Sequence, residues 1–176
     1  MPRLESSLQW ISDWDTALAV QCNRACRLGW VRAGFRAASR LGDGVFWYAL
    51  MLLLLIAYGP DALDPVTRMA LAGVVGVVIY KLLKAAISRP RPCQVYPVIT
   101  AQAPPLDRFS FPSGHTLHAV SFSTLASAYF PELGPGLWTF VAIVAASRPV
   151  LGLHYPSDVL AGGAIGWLLA ALALAV

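Results

Sequence analysis

Five stretches of this chain are apolar almost throughout, and each approaches the length of a bilayer crossing: residues 44–59, 66–87, 114–130, 136–152 and 157–176. A helix needs ~20 mostly apolar residues to span the hydrocarbon core. Apolar residues make up 57% of the sequence and charged ones 12%, with a mean hydropathy of +0.62, far too little polarity to solvate the surface of a soluble protein of 176 residues. The sequence therefore predicts an all-α integral membrane helical bundle with about five transmembrane helices, short enough to form one domain. The stretch 114–130 is the least apolar, carrying Ser, Thr and His, which suits a helix enclosed by the others. The connections 59–65 and 131–135 are short turns rich in Gly and Pro, whereas 90–111 is long, Pro-rich and polar.

Residues 1–40 differ from the transmembrane part, 41–176. Arg24, Arg27, Arg32, Arg36 and Arg40 recur near helical spacing with Leu28, Trp30, Val31 and Phe35 between them. This predicts an amphipathic helical segment lying in the membrane interface; a solvated cap packed on the bundle fits the pattern as well. Trp10, Trp14, Trp30 and Trp47 suit an aromatic belt at headgroup level. Cys22, Cys26 and Cys93 have neither metal-ligand spacing nor a disulfide framework. Residues 1–15 carry Asp and Glu, and no apolar core follows a basic start, so no cleavable leader is expected. The net charge of +4 resides in the N-terminal segment and the polar motifs, which favours anionic lipid or phosphate over nucleic acid as partner.

Three polar clusters interrupt the apolar chain: Lys84 with Ser88-Arg89-Pro90-Arg91-Pro92, then Pro112-Ser113-Gly114-His115, then Ser147-Arg148 with His154 and Asp158. Simple alternation of the spans brings all three to one membrane face. Taken singly, each residue has a plainer role: Arg and Lys at span ends snorkel, Asp158 can cap its helix, and a His is often a satisfied core residue. Jointly they match what phosphate ester cleavage requires. Arg91 and Arg148 offer planar forks for phosphate oxygens, and Lys84 adds a point charge. Gly114 lets backbone N–H groups meet an anion at a helix start, and Ser113 adds a hydroxyl. Asp158 can hold one ring N–H of His154 while the other nitrogen attacks phosphorus, and His115 can protonate the leaving oxygen. No Asp/Glu cluster has metal-ligand spacing, so neither a metal nor a cofactor is expected. His118 matches no chemical role and is expected to pack.

These residues resemble the type 2 phosphatidic acid phosphatase (PAP2) superfamily, which shares its site with vanadium haloperoxidases. The family pattern is Lys, six residues, Arg-Pro; then Pro-Ser-Gly-His; then Ser-Arg, five residues, His, three residues, Asp. Lys84 with Arg91-Pro92, Pro112 to His115, and Ser147-Arg148 with His154 and Asp158 fill every position. The resemblance runs from about Ser39 to the C-terminus, and Arg89-Pro90 is also familiar in bacterial members. It implies a membrane-bound lipid phosphatase working without metal through a phosphohistidine on His154. His115 would be general acid and Asp158 orienter, with phosphate held by Lys84, Arg91, Ser113, Gly114 and Arg148. Its substrate would be a lipid phosphate or diphosphate of the undecaprenyl diphosphate, phosphatidic acid or phosphatidylglycerol phosphate class, and a short bacterial enzyme of the first type is the best match. A non-enzymatic protein binding or transporting an anionic lipid is the alternative; haloperoxidase activity fits poorly with the membrane spans. Family habit implies a bacterial plasma membrane with the site on the periplasmic face. The N-terminal arginines argue for the cytoplasmic face, since the far loops hold Asp61, Asp64 and Glu132 against only Arg68. A homo-oligomer is compatible with the chain.

Overall fold

In a computed structural model, the backbone is described for residues 2–176 and side chains for residues 12–176. Eight α-helices follow one another: α1 Pro2–Arg24, α2 Gly29–Gly42, α3 Val45–Tyr58, α4 Leu63–Ile87, the single turn α5 Pro92–Val95, α6 Gly114–Tyr129, α7 Gly134–Val150 and α8 Pro156–Ala175. No strand occurs among the described residues. The five apolar stretches become α3, α4, α6, α7 and α8. Val45–Val95, which folds back as the α3–α4 hairpin, Pro131–Val150 and Pro156–Ala175 are long and apolar enough to cross a membrane. Leu52, Ile56, Leu82, Leu160 and Leu172 stay outward on these helices, as a lipid-facing surface requires.

Helix α6 is the centre. Its Leu117, Ala119, Leu125 and Ala126 are fully buried, and it packs against α4, α7 and α8. Its Ser and Thr residues are tolerated because neighbours, not lipid, surround them, in line with the expectation for 114–130. The approach of α8 is close because Gly162 and Gly166 form a small-xxx-small stripe. A Cβ on either would collide with the carbonyl oxygen of Ser113 or Leu117 on α6.

Trp47 departs from the expected belt. It is 1% exposed, with its ring 5.3 Å from Phe122 of α6 and 5.6 Å from Phe140 of α7. It sits on the inward face of the first turn of α3, where its large apolar area is buried in the core. Trp14 and Trp30 are exposed as a belt requires, and the Trp10 side chain lies outside the described residues.

The N-terminal segment is two helices, and the described half of α1 packs on the bundle. Asp15, Ala19, Asn23 and Cys26 are buried. The Asn23 amide donates to the carbonyls of Thr100 and Val150, each at 3.0 Å, and its oxygen accepts from Thr100 N–H. These bonds stitch α1 to the 96–113 connection and to the end of α7. Gly152, at φ +74, turns the chain from α7 toward His154; a Cβ there would lie 2.7 Å from the Thr100 oxygen.

Candidate active site

Each polar cluster stands where a helix starts or stops. Lys84 occupies the last turn of α4, which ends at Ser88 in the left-handed region, φ 51. Arg91 caps α5 between two prolines that fix the neighbouring backbone. His115 lies in the first turn of α6, Arg148 in the last turn of α7, and Asp158 in the first turn of α8. His154 sits in the short connection before α8. Lys84, Arg91, Gly114, His115, Arg148 and His154 all line one cavity of about 860 Å³. The same cavity runs down between α3 and α4 past Trp47, Met51, Ala70, Val74 and Val77, so a cationic end opens into an apolar groove.

Ser113 and Asp158 stand behind that wall. The Ser113 hydroxyl caps α6, 3.4 Å from Thr116 N and 3.0 Å from Thr116 Oγ1, and its N–H donates to the Asp158 carbonyl at 3.0 Å. Asp158 Oδ2 accepts from Tyr155 N–H at 2.8 Å in a capping box and lies 3.8 Å from His154 Nδ1. His154 Nδ1 has no hydrogen-bond partner among the described residues. Asp158 is thus both the helix-capping acid and the carboxylate nearest the imidazole. The other ring nitrogen, Nε2, faces the cations, 3.3 Å from Arg91 Nη1.

Burial, then Arg148, Arg91, Lys84 and His115 around it, push the His154 pKa well below 6.5, so the ring is neutral with a lone pair available. Arg148 is 2% exposed; its Nη1 donates to Ser39 Oγ at 2.6 Å, while its Nε has no partner among the described residues.

Three carboxylates that the motif reading passed over complete the site. Asp43, at the α2–α3 junction, pairs with His115 Nε2. Asp107, the one acid of the 90–111 connection, accepts from Lys84 Nζ at 2.9 Å and Arg91 Nη2 at 2.8 Å. Burial alone would raise the Asp107 pKa, but bonding to Lys84 and the charge of Arg91 hold it below the ordinary carboxylate range. Asp15 of α1 accepts from Ser157 N–H at 2.9 Å and from Arg89 Nη2 at 2.7 Å. Arg89 also donates to Asp158 Oδ1 at 2.8 Å and lies 3.9 Å from the Tyr155 ring centroid, bridging two buried acids. An acid at a span edge or alone in a basic loop was the only signal in the sequence. His118 ties α6 to α4, its nitrogens 2.9 Å from the Gly114 carbonyl and 3.2 Å from that of Gly73.

Fold and site together define a helical membrane protein with a cavity that sets Lys84, Arg91 and Arg148 beside a neutral imidazole. The family model for the PAP2 superfamily matches residues 62–176, and the chain belongs to that superfamily. Decaprenylphosphoryl-5-phosphoribose phosphatase of Mycolicibacterium smegmatis is 33% identical over 150 residues, covering 82% of this chain and 78% of that protein. Undecaprenyl-diphosphatase BcrC of Bacillus subtilis is 33% identical over 114 residues, 64% of this chain and 58% of its own. Among solved structures, Aquifex aeolicus LpxE superposes with a TM-score of 0.80 at 26% identity, covering 91% of this chain and 94% of that one. A transmembrane PAP2-type phosphatidylglycerolphosphate phosphatase from Bacillus subtilis, at TM-score 0.75 and 24% identity over 94% of this chain and 85% of its own, shares the fold.

Proposed function

We propose that this protein is a membrane lipid phosphatase that removes the terminal phosphate of a lipid phosphate or diphosphate. The observation that carries the reading is the shape of the cavity of about 860 Å³, cationic and imidazole-bearing at the α4–α6–α7 end and apolar between α3 and α4. A terminal phosphate suits the first part and a lipid chain the second. His154 Nε2 attacks phosphorus and the bond from phosphorus to the lipid-side oxygen breaks. His115 gives that oxygen a proton. His115 then takes a proton from water, whose oxygen attacks the phosphohistidine, so inorganic phosphate leaves and His154 is restored. General acid–base help of this kind is worth roughly 10²–10⁴-fold. Arg91, Arg148 and Lys84 stabilise the equatorial oxygens, with the N–H groups at the Gly114 helix start beside them. Asp158 orients His154, Asp43 orients His115, and Ser113 fixes the start of α6. The cations supply the electrostatic stabilisation, so the chemistry we propose runs without a metal.

For the lipid, we favour a polyprenyl-linked phosphate, because the two 33%-identical relatives named above are phosphatases of decaprenyl and undecaprenyl compounds. The test is phosphate release by purified protein from undecaprenyl diphosphate, phosphatidic acid and phosphatidylglycerol phosphate, with His154→Ala alongside. Release from the polyprenyl substrate, abolished in the variant and blocked by vanadate as a five-coordinate phosphoryl mimic, is expected. A His154→Ala protein that still releases phosphate would exclude this mechanism. A wild-type protein that binds these lipids without releasing phosphate would favour a carrier of anionic lipid.

A further inference from the structure

The cationic cup holds an anion of the chain's own. Asp107 Oδ1 sits between Lys84 Nζ and Arg91 Nη2, and the Asp107 carbonyl accepts from Arg91 Nε at 3.1 Å. Lys84 Nζ also donates to the Phe109 carbonyl at 2.7 Å, and Arg91 Nη1 donates to the Leu153 carbonyl at 2.7 Å and faces His154 Nε2. Lysine has three N–H donors and arginine five. Two of three on Lys84 and four of five on Arg91 are therefore occupied, leaving one on each. A phosphate could not reach both cations fully with the carboxylate in place, and its charge would face that of Asp107.

Resting on the lipid phosphatase reading above, we propose that Asp107 is a built-in stand-in for the substrate's phosphate and sets which anions the site accepts. While the site is empty, the carboxylate compensates Lys84 and Arg91, whose side chains are 7% and 2% exposed and would otherwise be buried charges without a partner. Asp107 is reached from solvent, its side chain 37% exposed, so an entering anion meets it at the mouth of the cup. An entering group must exceed what the carboxylate gives. A phosphodiester headgroup, with one negative charge, only matches it. A terminal phosphate, at about −1.5 to −2, brings more charge and three equivalent oxygens. The residue thus selects terminal phosphates from a membrane surface crowded with diesters, and it lowers the apparent affinity for every anion, including the phosphate product, by the fraction of time the cup is open.

The full-length protein in detergent, wild type and Asp107→Asn, tests this by direct binding of orthovanadate and inorganic phosphate. The variant is expected to bind both at least about tenfold more tightly. Empty, it is expected to melt below the wild type, and vanadate should raise its melting temperature by more than it raises that of the wild type. Phosphatidylglycerol is expected to leave vanadate binding to the wild type unchanged and to compete with vanadate in the variant. Weaker or unchanged anion binding in the variant would overturn the proposal and make Asp107 a prop that aims the two cations. Continued indifference to phosphatidylglycerol would overturn the selection of charge. Should the Asn variant fail to fold, Asp107→Ala is read by the same criteria. Because the readout is binding, a wild-type protein that released no phosphate would contradict the phosphatase reading and leave the Asp107 comparison standing.

Discussion

The proposed mechanism asks that His154 be buried enough to keep water from competing at phosphorus and that its Nε2 stay unprotonated. The site meets both demands by surrounding the ring with positive charge. Burial first, then Arg148 from α7, Arg91 before α5, Lys84 from α4 and His115 from α6 oppose a proton on the imidazole, with the Asp158 carboxylate 3.8 Å from Nδ1. The sign follows directly: a depressed pKa means the neutral, nucleophilic ring is lost only when pH falls well below the ordinary value. The acid limb of kcat/KM, which reports the free enzyme, is expected below pH 6.5 once the substrate's own ionisation near pH ~6 is divided out. A limb set by His154 at or above 6.5 would mean the ring is not buried among cations as described. At this scale the sequence was legible wherever spacing encodes chemistry, so Lys84, Arg91, Gly114, His115, Arg148 and His154 meet in one cavity as their motifs imply. It was opaque for Asp15, Asp43 and Asp107, because a lone acid shows its charge and not its partner, which folding alone decides and which lies 23 residues away for Asp107 with Lys84 and 142 for Asp15 with Ser157.

Among the elements, the contact between α6 and α8 matters most, since it fixes His115 and Asp158 relative to each other. Gly166 lets the two backbones touch there, and no side chain can yield when the obstacle is the Leu117 carbonyl. Gly166→Ala is expected to destabilise the protein by about 1–3 kcal/mol and to lower turnover by tilting α6. Gly163→Ala on the same helix adds a methyl that meets only Thr116 and Val120 side chains at 3.8 Å, so thermal unfolding should leave it near wild type. Equal effects from the two would refute backbone contact as the reason for the glycine. The helices themselves were plain in the hydropathy, because α3, α4, α7 and α8 must face lipid and α6 must not. Trp47 was misread for a physical reason: a tryptophan at a span edge has the same sequence context whether it faces headgroups or, as here, Phe122 and Phe140.

For the whole molecule, the N-terminal helices are joined to the cationic end of the cavity through polar bonds. Asp15 reaches Arg89 and Ser157, Asn23 holds the 96–113 connection, Ser39 holds Arg148, and Asp43 meets His115. Amphipathicity alone could place α1 and α2 near the membrane surface but could not tell which groups they would touch. These contacts tie distant stretches to one arrangement, in which, on the proposed mechanism, the nucleophile is a single ring nitrogen of His154. Trapping the covalent intermediate tests that arrangement most directly. Protein mixed with lipid phosphate, quenched under alkaline conditions within the first turnover and digested for mass spectrometry, is expected to carry phosphate on His154 and nowhere else. A wild-type protein that turns over its lipid with phosphate on another residue, or with His154 never modified, would contradict the account.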